Sequence, residues 1–129
     1  MTRDEWPADS RAPAAARAFV ADVLRHSLTP GATPTLDEVV LVTSELVTNA
    51  VRAQAQTVTV DVFVDKERID LVVSDDAGGW PAVRHVGSDA LGGRGLAIVE
   101  QLAETWTTRP HGAGKAVTAS WPVPRSGPS

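Results

Sequence analysis

The chain has 129 residues, room for one hydrophobic core and too few for two. Apolar residues make up 43% and charged residues 22%, the balance of a folded globular protein, and no apolar run reaches the ~18 residues of a membrane span. Twelve Lys and Arg against sixteen Asp and Glu give a net charge of −4 with no basic stretch for nucleic acid or an anionic membrane, while zero cysteines exclude disulfides, thiol catalysis and thiolate metal sites.

Residues 1–10 and 124–129, rich in Pro, Ser, Gly and charge, read as flexible ends around one domain at 11–123. Met1 to Pro7 lacks the apolar core of a secretion signal, so the expected location is cytoplasmic. From Arg11 to about Leu28, Ala14, Ala18, Ala21 and Leu24 fall at helical spacing, with Pro13 tolerable in a first turn. Two prolines and a glycine between Thr29 and Pro34 break that helix. A second runs from about Thr35 to Ala53, with Thr35 as N-cap and Glu38 completing a capping box.

Val58, Val60, Val62 and Val64 then alternate with Thr57, Thr59, Asp61 and Phe63, and after the polar turn at Asp65–Arg68 the alternation resumes at Ile69, Leu71 and Val73. This is an antiparallel hairpin. Asp75 to Gly95 is glycine-rich and predicts a loop, Leu96 to Glu104 a third helix. Thr105–Arg109 and Ala116–Val123 read as closing strands around the turn His111-Gly112-Ala113-Gly114. The order predicts an α+β fold in two layers, helices on one face of a mostly antiparallel sheet.

Three patches carry candidate chemistry. In the second helix, Ser44, Glu45, Thr48, Asn49 and Arg52 share the side opposite Val39, Val40, Leu46, Val47, Ala50 and Val51. A solvated helix face would account for this, but such faces usually carry several Lys and Glu. Glu45 and Asn49, one turn apart, instead offer a carboxylate and an amide oxygen pointing the same way. That pair of hard donors suits Mg²⁺ shared with water and phosphates; alternatively, Glu45 serves as a general base. Asp75-Asp76-Ala77-Gly78-Gly79-Trp80-Pro81 follows a strand directly. It is either an ordinary Asp-Gly turn or a site where Asp75 accepts from an exocyclic amine while glycine admits a ligand close to the backbone. Gly92-Gly93-Arg94-Gly95 runs into a helix at Leu96, a hinge or a phosphate site of exposed N–H groups helped by Arg94. It is neither a P-loop nor a dinucleotide turn. His26, His85 and His111 have no metal-ligand spacing.

The order of these patches resembles one family. Leu41-Val-Thr-Ser-Glu-Leu-Val-Thr-Asn-Ala-Val-Arg52 is similar to the N-box of the GHKL ATPases, named for gyrase, Hsp90, histidine kinases and MutL. Asp75–Pro81 resembles their first glycine box and Gly92–Val99 their second. Within that group the likeness is to the small RsbW-type anti-sigma-factor serine kinases. The resemblance implies a Bergerat-type sandwich and ATP with Mg²⁺ as cofactors. Carried onto this sequence, Asn49 holds Mg²⁺, Glu45 acts as base on a serine hydroxyl, and Asp75 accepts the adenine amine. Gly79 lets the chain pass the base, while Gly93, Arg94 and Gly95, with Leu96 opening the helix, meet the phosphates. The implied activity is a serine/threonine protein kinase acting on a STAS-domain anti-anti-sigma protein, sequestering a sigma factor, or both, in a homodimer; a non-catalytic module acting by protein contact is the alternative. Three departures stand out. Ala77 replaces the first glycine, Ala53-Gln54 replaces a His and a small residue, and Lys115-Ala116 replaces a threonine that supports the aspartate. Of the family's N-terminal strand only Trp6 is evident.

Overall fold

The structure, a computed structural model, describes residues 1–77 and 93–124, with the backbone alone for 93–96. In chain order these form β1 (Thr2–Pro7), α1 (Ala12–Ser27), a 3-10 turn (Pro30–Ala32), α2 (Thr33–Arg52), β2 (Thr57–Val64), β3 (Arg68–Asp75), α3 (Gly93–Leu102), β4 (Thr105–His111) and β5 (Gly114–Pro122). The strands build an antiparallel sheet in the order β1-β2-β3-β5-β4, and the helices cover one face of it.

The valine alternation does what its period requires. Val58, Val60 and Val62 of β2, with Ile69 and Leu71 of β3, are buried beneath the helices. Each such side chain removed from water contributes about 1.5–3 kcal/mol before entropy is counted. The hairpin turn is fixed by Asp65, whose Oδ1 accepts from the N–H groups of Glu67 at 2.7 Å and Arg68 at 2.8 Å. Val39, Val42 and Val47 of α2 and Val99 of α3 close the core.

Several sequence expectations give way. Residues 1–10 are not a loose end: Thr2 to Pro7 pair in register with Val62 to Thr57. Only Trp6 of this strand is partly sheltered, and its ring meets Phe19 of α1 edge-on at 5.7 Å. Backbone pairing at a sheet edge needs no apolar alternation, so the pattern was silent there. On α1 the buried stripe is Ala12, Ala16, Val20 and Leu24, with Ala21 beside it, while Ala14 and Ala18 face outward. The larger Val20, Leu24 and Phe19 decide which side packs. Thr35 is not the cap of α2. The helix starts two residues earlier from Ala32, without a side-chain cap, because the 3-10 turn feeds straight into it and Pro34 fits a first turn.

At the other end the described part of α3 begins at Gly93, not Leu96, and β5 begins at Gly114, not Ala116. The last turn therefore shrinks to Gly112-Ala113, with Gly112 at φ +57°, a left-handed conformation that glycine adopts without penalty.

Candidate nucleotide site

Helix α2 packs against α3 and against β3, the strand that ends at Asp75. Along α2 the polar residues divide the work. Thr48 donates its hydroxyl proton to the Ser44 carbonyl at 2.7 Å, and the Ser44 hydroxyl accepts from Arg17 of α1 at 2.9 Å. Glu45 is half-buried and, among the described residues, has neither a hydrogen-bond nor an ion-pair partner. Asn49, one turn on, is only 9% exposed. Its Oδ1 is out of reach of water and has no partner among the described residues. A buried acceptor left unpaired costs about 1–3 kcal/mol, which marks this amide as a candidate ligand-binding group.

That orphaned oxygen is the test of fit for Mg²⁺, which takes hard oxygen ligands and keeps most of its shell as water and phosphate. Asn49 with the Glu45 carboxylate a turn away suits such a minimal protein contribution. Among the described residues no group of three His, Asp or Glu could form a metal cage.

Asp75 ends β3, 7% exposed, and both its oxygens are engaged. Oδ1 accepts from the Ala77 N–H at 3.0 Å, and Oδ2 accepts from the Lys115 ammonium at 2.7 Å. The pair follows from register, since Asp75 lies directly opposite Lys115 in the β3–β5 ladder. The support that the sequence resemblance counted as missing with the threonine is therefore supplied by Lys115, the residue named at that position without this role. Its signal was its place just after the last tight turn. Gly114 makes the approach possible: a Cβ there would lie 1.9 Å from the Asp75 carbonyl oxygen.

Ala77 is no obstacle. Gln54 is the one non-glycine residue with positive φ among those described, so Ala77 sits in a conformation open to any L-residue. Asp76 serves the fold. Its Oδ1 accepts from the N–H groups of Gln56 at 2.8 Å and Thr57 at 3.1 Å, tying the exit of α2 to the end of β3. The Thr57 and Gln56 N–H groups hold its carboxyl below the ordinary value of 3.8.

Gly93, Arg94, Gly95 and Leu96 form the first turn of α3, where the backbone N–H groups of a helix lack intrahelical partners. Gly79 and the remaining glycine-box and lid residues, Gly78, Trp80, Arg84, Asp89 and Gly92 among them, lie outside the described residues.

A family model for the histidine kinase-like ATPase domain matches residues 6–121 of this sequence, nearly the whole of the described fold. The chain belongs to that family. Among solved structures the fold is similar to the histidine kinase domain of the blue-light activated histidine kinase from Erythrobacter litoralis EL346, at 22% identity and a TM-score of 0.54. That match covers 86% of this chain and 61% of the other, so the domain spans about three-fifths of the solved relative's length. No curated protein sequence matches it. No described helix is long and apolar enough to cross a membrane.

Proposed function

We propose that this ATPase domain is a serine/threonine protein kinase of the anti-sigma-factor type. It transfers the γ-phosphoryl group of ATP to a serine on a STAS-domain antagonist and holds a sigma factor inactive when that antagonist is absent. The observation that carries the reading is the α2 pair: a half-buried Glu45 carboxylate one turn from the Asn49 amide oxygen, both without a partner among the described residues. In the transfer, the serine oxygen forms a bond to the γ-phosphorus as the bond to the ADP oxygen breaks. Glu45 takes the hydroxyl proton and ADP leaves with the electron pair. Asn49 would hold Mg²⁺, which when bound neutralises phosphate charge. The first turn of α3 directs its N–H groups toward anionic ligands, and Asp75 faces the base.

A second reading has its own observation. With both Asp75 oxygens already engaged, the domain could work as a binding module that controls a sigma factor by contact alone. Incubating the protein with radiolabelled ATP, Mg²⁺ and STAS-domain candidates separates the two. Transfer to serine that Glu45→Ala reduces by about 10²–10⁴-fold, with ATP affinity retained, supports the kinase. Sigma-factor capture without any transfer supports the module.

A further inference from the structure

The Asp75–Lys115 pair carries an inference that rests on the ATP-binding reading and names how the base is selected. The two groups are fixed side by side at the end of the sheet, the carboxylate 4% exposed and the lysine side chain 18%. Their spacing is set by backbone, since β5 rests against the Asp75 carbonyl at Gly114. A lysine ammonium has three N–H donors, and the described structure uses one of them, on Asp75 Oδ2. The ammonium, on a side chain that is not fully buried, therefore keeps further donors beside an acceptor whose oxygens keep spare lone pairs.

An acceptor next to a donor is the complement of a ligand edge with a donor next to an acceptor. Adenine has that edge, with its exocyclic amine beside ring nitrogen N1. Guanine can also meet the pair through N1–H and O6. Its 2-amino group would then fall to Oδ1, which already receives the Ala77 N–H, so that one carboxylate would take two guanine donors besides Ala77 and Lys115. Adenine asks for a single further acceptor, which favours it.

We propose that Lys115 is a base-reading residue, donating a hydrogen bond to adenine N1 while Asp75 accepts from the exocyclic amine. The ion pair is thus a two-point reader of the base, and Lys115 contributes to affinity through one ring atom.

The experiment is calorimetric titration of the folded protein with ATP, 1-deaza-ATP (a C–H in place of N1) and GTP, all with Mg²⁺. It is run on the parent and on Lys115→Met, with a urea melt of each. A hydrogen bond from a charged donor predicts a loss of about tenfold or more when N1 is removed. The parent should therefore bind ATP at least tenfold more tightly than 1-deaza-ATP, and GTP more weakly than ATP. Lys115→Met should bind ATP and 1-deaza-ATP alike, at the weaker level. Equal affinity of the parent for ATP and 1-deaza-ATP overturns the proposal and leaves the ATP-binding reading standing. Tighter ATP binding by Lys115→Met overturns it in favour of a lysine that competes with the base, and tighter binding of GTP overturns the choice of base. A folded parent that binds no nucleotide removes the ATP-binding reading and this inference together. The parent arms need no variant, so a poorly folding Lys115→Met does not rescue the idea.

Discussion

Replacing Asn49 by leucine should make the protein more stable and unable to use nucleotide. The amide is 9% exposed, and its Oδ1 is out of reach of solvent and has no partner among the described residues. An unsatisfied buried acceptor costs about 1–3 kcal/mol, and leucine, branched at the same atom, removes that cost. Leucine also forms helix better than asparagine, worth a few tenths of a kcal/mol near the end of α2. Against this stands overpacking by the larger side chain, about 1 kcal/mol at the low end. The expected net gain is about 1 kcal/mol. With a urea m-value of about 1–3 kcal/mol/M, the unfolding midpoint should rise by about 0.3–1 M. Far-UV circular dichroism against urea measures it, and calorimetry on the same sample should show ATP binding with Mg²⁺ weakened or gone. A midpoint that falls by about 0.5 M or more would refute the reasoning, because the amide would then be holding the fold rather than awaiting a ligand.

Two other substitutions test the frame of the site. Gly114→Ala places a Cβ 1.9 Å from the Asp75 carbonyl oxygen, 2.7 Å from its carbon and 2.8 Å from Asp76 Cα, all backbone atoms that can yield only by moving a strand. A loss of at least the ~1–3 kcal/mol of ordinary overpacking, read as a lower urea midpoint, is expected, together with weaker nucleotide binding. Asp76→Asn tests the tie to Gln56 and Thr57. Because the Asp76 carboxyl is held below its ordinary value in the folded protein, its contribution is present above pH 3.8 and lost as pH falls through the lower folded value. The asparagine variant, whose amide oxygen still accepts but does not titrate, should show a flatter decline of the urea midpoint across that acid window. An unchanged acid limb would mean the tie carries no stability.

How far the sequence spoke depended on whether the signal was local. The β2–β3 hairpin announced itself because one buried face imposes a period of two on Val58 to Val73. Glu45 and Asn49 were legible as a pair because helical spacing alone puts them on one side. The edge strand β1 was not, since Thr2 to Pro7 are held through backbone pairing, the Trp6–Phe19 contact and cross-strand polar bonds of Arg3 to Asp61 and Thr59 to Glu5. The start of α2 was misplaced because Thr35 and Glu38 mimic a capping box that the preceding 3-10 turn makes unnecessary. Lys115 was placed at the threonine position, but its bond to Asp75 was not foreseen, for a different reason. Its bond to Asp75 spans forty residues of sequence and depends on the β3–β5 register, which no local pattern encodes.

The contact at Gly114 also bears on how such a site can change over generations. The distance between β5 and Asp75 is set by main-chain atoms, so the side chain at 115 is an interchangeable head on a fixed mount. A threonine, a lysine or an arginine there would meet the same carboxylate from the same strand position. Ligand preference could then drift by single codon changes at 115 while selection holds Gly114 constant, and relatives of this domain should vary at the first position far more freely than at the second.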